Sequence, residues 1–280
     1  MLENYVKLPL FIYFVLALGL AASVAGAGSP AGDSTMDDPS ARKRFSHADW
    51  QSVLERFVRP DGLVDYQALA RDRAALDRYV AAIRRDSPSS SPALFPTRDE
   101  ALAYYLNAYN AHVFAGVLSR GPEKSSVWSG LISGFNFFVR MKVVVGGERM
   151  SLKTLEEEHI LKTFQEPRVH AALNCASIGC PPLSRRAYEA DSLDAQLQEA
   201  MQNWVADPYH CKVDTAARSV TLNKIFDWFR DDFIGYEKRL GNQEPSLISY
   251  VNRFRPESDR IPLDFSVGFS TYDKKINGAP

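Results

Sequence analysis

Only three of the chain's 280 residues are cysteine and only five are histidine. Chemistry built on thiols or imidazoles therefore has few residues to draw on. Three cysteines allow one disulfide at most, leaving one thiol free or paired outside the chain. The formal net charge is −1, so the basic excess of a nucleic-acid binder is missing. Heptads, short-period repeats and a second long apolar run are missing too, which leaves no sign of a coiled coil, a solenoid or a multi-span membrane protein. The paired Cys-x2-4-Cys spacing of structural zinc sites is absent, and no motif asks for another cofactor. What the chain does have is a hydrophobic content of 45%, enough for a real core.

Its one long apolar run comes first. Lys7 is followed by an uncharged stretch from Leu8 to Gly32 that is strongly apolar as far as Ala22. Val24-Ala25-Gly26-Ala27 places small residues where a signal peptidase reads them. The segment 1–27 is therefore expected to be a cleaved signal, with an uncleaved membrane anchor as the alternative. An apolar core of about 15 residues is short for a span, which needs about 20. Export to a secreted or periplasmic location follows from the first reading, and membrane contact only from the second. Residues 28–44, rich in Gly, Ser, Pro and Asp, read as a flexible leader, and residues 45–280 as the folded domain.

Apolar spacing predicts a helix from Ser46 with Trp50, Leu54, Phe57 and Val58 on one face. Leu63 to Leu69 reads as extended and leads into a helix through Leu76, Tyr79, Val80 and Ile83. The clearest helix is Asp99 to Leu118, and it carries Asn107, Asn110 and His112 among its apolar positions. Phe137 to Val145 and Glu148 to Met150 read as a hairpin about Gly146-Gly147. Ser151 caps the next helix, Val169 to Asn174 reads as a buried strand, and Leu193, Leu197, Met201 and Trp204 mark another helix. A second hairpin joins Cys211–Val213 to Ser219–Leu222, followed by a short aromatic helix over 223–233, a helix near 247–254 and an extended finish over 265–272. Trp228 and Phe229 are expected in the core. Helices outnumber strands and hairpins imply antiparallel pairing. The pattern is one α+β domain, mainly helices packed on a small antiparallel sheet.

Chemistry concentrates in PRVHAALNCASIGCPPL, residues 167–183, which holds His170, Cys175 and Cys180. The spacing His170-x4-Cys175-x4-Cys180 admits four readings: a thiol catalyst with His170 as base, a structural disulfide, a metal site short of ligands, or inert cysteines on a buried strand. On a straight strand His170 and Cys175 would lie about 16 Å apart on opposite faces, so a catalytic pairing needs a bend. The turn at 176–179 can fold Cys180 back toward His170, and Pro181 suits the first position of a helical turn with Cys180 at its positive end. That slightly favours Cys180 over Cys175. Of Glu156, Glu157 and Glu158, helix spacing turns Glu156 or Glu158 inward to orient the imidazole. Asn107, Asn110 and Asn174 are candidate oxyanion donors, or amides that tie the core. His47, His112 and His210 have no evident partner and are expected to be structural or exposed.

Several of these stretches occur together in a known family. They are Asp61-Gly62-Leu63-Val64-Asp65-Tyr66, Leu106-Asn107-Ala108-Tyr109-Asn110, the central motif, and Lys224-Ile225-Phe226-Asp227-Trp228-Phe229. In this order they resemble the bacterial and plant family called domain of unknown function 547, over about Ser46 to Asn277. The resemblance implies a thiol-hydrolase arrangement of an acidic residue, a histidine and a cysteine, related to papain- or transglutaminase-like folds. On this chain those residues are Glu156 or a neighbour, His170, and Cys175 or Cys180. The chain departs from the family where Tyr272-Asp273-Lys274 stands for Tyr-Asp-Trp.

Two functions are therefore expected to compete. One is an exported cysteine-dependent hydrolase or acyl transferase acting on an amide- or peptide-like substrate. The other is a non-catalytic binding or scaffold domain whose Cys motif is structural.

Overall fold

The computed structural model describes residues 44–127 and 135–279. The expected signal segment 1–27 and all of the expected leader except Arg44 lie outside the described residues, as does part of the connection after Ser119. Arg44 already belongs to the fold, paired with Glu100 at 3.1 Å and Asp191 at 2.9 Å. The architecture is α+β. Among the described residues no helix is long and apolar enough to cross a membrane.

Helices α1 (Ala48–Phe57), α2 (Tyr66–Arg71) and α3 (Ala74–Arg85) surround α4 (Arg98–Arg120). The stretch expected to be extended up to Leu69 turns helical at Tyr66, because the Asp65 side chain accepts the Ala68 N–H and caps a helix there. Thr97 and Glu100 form a reciprocal capping box at the start of α4. Nearly every residue of α4 from Leu102 to Leu118 is buried, polar ones included. Each buried Leu, Val or Phe there contributes about 1.5–3 kcal/mol, so α4 is the axis of the first hydrophobic cluster.

The first hairpin is shorter than its expected span. Phe135–Arg140 is helix α5, and only Lys142–Val145 (β1) pairs with Glu148–Ser151 (β2). Gly146 and Gly147 both take positive φ, 56° and 84°, as a two-residue hairpin turn requires. Ser151 caps the helix over 152–164, here α6, by accepting the Thr154 N–H. The middle of α6, Leu155–Leu161, widens to π-helical bonding.

Val169 to Asn174 is not a strand. Pro167–Ala171 forms a 3-10 turn. Pro167 stands at its first position, where a missing N–H costs nothing. The Glu166 carboxylate accepts the Arg168 N–H and also takes the Arg168 guanidinium at 2.9 and 2.8 Å. This local fork fixes a tight turn where periodicity alone suggested extension.

The second hydrophobic cluster gathers around α7 (Leu193–Ala206), with Met201, Trp204 and Val205 buried inside it. It continues through β3 (Cys211–Asp214), β4 (Ser219–Leu222), α8 (Lys224–Trp228), α9 (Arg230–Arg239), α10 (Leu247–Asn252) and β5 (Ser266–Phe269). β3 and β4 pair antiparallel as expected, but β5 joins β4 in parallel, so this sheet is mixed. The expected aromatic helix divides at Phe229, and Trp228 is 48% exposed rather than in the core.

Candidate functional site

The loop 172–182 is shaped by amides from outside and within it. Asn110 of α4 donates to the Ala172 carbonyl and accepts the Asn174 N–H, both at 2.9 Å. Asn174 in turn accepts the Ala176 N–H at 2.9 Å and donates to the Pro181 carbonyl at 3.0 Å. These bonds close the bend in which Ala176 takes a positive φ of 59°, a conformation costly for a residue with a Cβ. Asn107 clamps both backbone groups of Tyr188, at 2.8 and 3.0 Å. Each such bond contributes about 1 kcal/mol, and leaving a buried partner unmet costs more. The three asparagines thus bond to backbone, and none lines the cavity described below.

The bend brings Cys175 and Cys180 together as a disulfide, with 6.5 Å between their Cα atoms. Cys180 does not stand at a helix N-terminus, since Pro181 starts no helix. Its sulfur accepts the Cys175 N–H at 3.0 Å. Cys211 is free and buried. The C-terminal segment runs along the loop: Ile178 N–H donates to Lys275 O and Gly179 N–H to Asp273 O, both at 2.9 Å. This pairing delivers the Tyr272 hydroxyl to 2.7 Å from Cys175 Sγ and 3.1 Å from Cys180 Sγ. A disulfide sulfur carries no hydrogen, so the hydroxyl is the donor. Burial pushes the Tyr272 phenol above its usual range, which keeps it protonated.

His170 is buried, and its Nε2 lies 2.8 Å from Asp232 Oδ2 on α9. Its ring packs tilted against Phe229 at 4.2 Å and Phe233 at 5.1 Å. A proton on Nε2 pointing at the carboxylate leaves Nδ1 as the basic nitrogen. The carboxylate bonded to the ring is therefore Asp232, in place of the expected glutamate. Glu157 and Glu158 pair outward with Lys153 and Lys162. Glu156 instead turns inward and accepts the Tyr109 hydroxyl at 2.9 Å. Burial raises its carboxyl above the ordinary value, while Tyr109, His170 and Lys153 pull the other way.

These groups share one cavity of about 140 Å³ at the seam of the two hydrophobic clusters. Cys175, Cys180, His170 and Glu156 all line it. Phe138, Leu173, Ile225, Trp228 and Phe229 supply its apolar wall. Among the described residues no group of His, Cys, Asp and Glu has the arrangement of a metal site.

Residues 94–205 match the model of a family described as protein of unknown function, DUF547. Over that span the chain is similar to DUF547. The matched span holds the whole loop 172–182, His170, Glu156 and all three asparagines. Trp228, Phe229 and Tyr272 lie beyond the matched residues yet line the cavity, and Asp232, also beyond them, holds His170 from behind it. No curated protein and no solved structure matches the chain. Sequence reasoning missed Asp232 because it stands 62 residues from His170 within an ordinary acidic helix start. Tyr272 was visible only as part of a family pattern, and the apolar look of Trp228 concealed its place at the cavity rim.

Proposed function

We propose that this chain is a cysteine-dependent hydrolase or acyl transferase for amide- or peptide-like substrates, active once the Cys175–Cys180 bond is reduced. One observation carries the reading: both sulfurs and the Asp232-held His170 line a single cavity. A structural disulfide has no need of an imidazole and a cavity beside it. Reduction by an external dithiol adds two electrons and two protons, leaving two protein thiols and oxidising the dithiol to its disulfide. Cys175, the more exposed of the pair, is the nucleophile. His170 Nδ1 takes its proton, and Asp232 steadies the imidazolium through Nε2–H. The thiolate attacks the carbonyl, the C–N bond breaks, and the amine leaves with the proton from His170. Water, or an acceptor amine, then displaces the sulfur from the thioester. Tyr272 is placed to donate to the thiolate.

The finer fold assignment, papain- or transglutaminase-like, belongs to this proposal and is supported by the cysteine–histidine–carboxylate grouping beside a long buried helix. So does export, which the apolar run to Ala22 and the small residues before Gly28 support. A binding or scaffold role is the second reading, favoured by the disulfide itself.

Turnover of a panel of amides and thioesters, with and without dithiol, tests the first reading. Reductant-dependent turnover that is lost in Cys175→Ala and His170→Ala is expected. Full activity in the Cys175→Ala, Cys180→Ala double variant would remove it.

A further inference from the structure

The cavity has room for very little. Its volume of about 140 Å³ is close to that of an engineered apolar cavity of about 150 Å³ in another protein, which accepts a single benzene ring. Its walls reject charge. Besides the cysteines and tyrosines, the only ionisable side chains lining it among the described residues are Glu156 and His170. Each of these already has a partner, Tyr109 for the first and Asp232 for the second. A substrate carboxylate entering here would lose its water and meet an imidazole already held by Asp232, and an ammonium would lose its water and meet a carboxyl already bonded to Tyr109.

The remaining surface suits a flat ring. Trp228 stands at the rim, 48% exposed, with its ring 4.9 Å from that of Tyr272. Phe229 lies on the adjoining wall, its ring tilted 32° to that of His170 at 4.2 Å. Aromatic faces and edges of this kind favour offset or edge-on packing of a further ring. Leu173 and Ile225 close the apolar side.

Resting on the thiol-hydrolase reading for its chemistry, we infer that this cavity is the specificity pocket and takes one uncharged, benzene-sized side chain. The substrate is then an amide or peptide carrying a phenylalanine-like group next to the carbonyl that Cys175 attacks. A methyl group leaves the pocket mostly empty, and a bicyclic ring overfills it.

Isothermal titration of the oxidised wild-type protein with the N-acetyl amides of phenylalanine, alanine, tryptophan, lysine and glutamate tests this. The oxidised protein has no free thiol in the cavity, so binding is read without turnover. The phenylalanine amide is expected to bind at least about tenfold more tightly than any of the other four. Trp228→Ala, a change at an exposed position, should weaken it at least about fivefold, while Tyr209→Ala, at an equally exposed aromatic outside this cavity, leaves it unchanged. Equal binding of all five amides, or tighter binding of the lysine or glutamate amide, overturns the assignment. Selective binding of the phenylalanine amide with no turnover by the reduced protein keeps the pocket and removes the hydrolase. Turnover of charged amides with no phenylalanine binding does the reverse.

Discussion

His170 and Asp232 meet at 2.8 Å across 62 residues of sequence, joining the 3-10 turn of the central motif to the first turn of α9. The carboxylate's side chain is 43% exposed on its outer side and the imidazole is buried. Asp232→Asn should therefore cost little stability, because the exposed carboxylate gains little from burial. It should lower kcat of the reduced protein by about 10²–10⁴ by leaving the imidazole in the wrong tautomer. Steady-state kinetics beside a urea melt separates the two effects.

The disulfide predicts a thiol count. Denatured, unreduced protein should show one free thiol, Cys211, and reduced protein three. A bridge across a sequence separation of five closes a short loop, so its loss should cost about 2 kcal/mol. Cys180→Ser measured by urea unfolding, with and without reductant, checks that figure; the variant and the reduced wild type should agree.

Glu156 gives a pH signature. Its folded carboxyl keeps its proton above the usual 4.5 because burial penalises the charge. The folded state therefore binds more protons than the unfolded chain in that window. Its favourable effect is complete below 4.5 and is withdrawn as pH rises toward the raised folded value. Glu156→Gln should match the wild type near pH 4 and be at least as stable near pH 7, with the Tyr109 hydrogen bond kept. Urea midpoints across that range are the measurement, and a variant less stable only at neutral pH would sink the idea.

Two histidines act in the opposite direction. Burial lowers His47 and His112 from 6.5 to about 4. The unfolded chain takes up protons first as pH falls, so the stability from each neutral ring is full above 6.5 and lost between 6.5 and about 4. Each contributes a slope of up to about 1.4 kcal/mol per pH unit. His112→Gln should flatten the acid limb of the stability profile, leaving the His47 share in place.

Gly179 sets the position of Tyr272. A Cβ at this residue would lie 2.8 Å from the Tyr272 ring and 2.9 Å from the Asp273 backbone nitrogen. Gly179→Ala should cost about 1–3 kcal/mol through overpacking and move the hydroxyl off the sulfurs. Tyr272→Phe removes the same hydroxyl with no such strain. Faster reduction of the disulfide in both variants, followed by alkylation and mass spectrometry, is the expected result.

Much of the fold could be read from local pattern. The spacing of Leu102, Leu106, Tyr109, Val113 and Val117 gave α4, and Leu193, Leu197, Met201 and Trp204 gave α7, because an amphipathic or buried helix writes its period into the chain. Gly146-Gly147 gave the hairpin turn for the same local reason. The errors fell where a side chain overrides periodicity: Asp65 capping α2, and Glu166 with Arg168 closing the 3-10 turn that had looked like a strand. The parallel pairing of β5 with β4 joins residues 47 apart in sequence, such as Ser219 and Ser266, and leaves no local mark.

By itself the sequence determined which residues could do chemistry: His170, Cys175, Cys180 and Glu156, drawn from a chain with few thiols and imidazoles. It also determined the amides that build the loop. Only the tertiary structure decided how they are used. It joined Cys175 to Cys180, spent Asn107, Asn110 and Asn174 on backbone, gave His170 to Asp232, and set Tyr272 and Trp228 at the cavity. The physical reason is that propensity and hydrophobic period are properties of neighbours along the chain, whereas a hydrogen bond between α9 and the motif, or a phenol laid across two sulfurs, exists only once distant segments have packed.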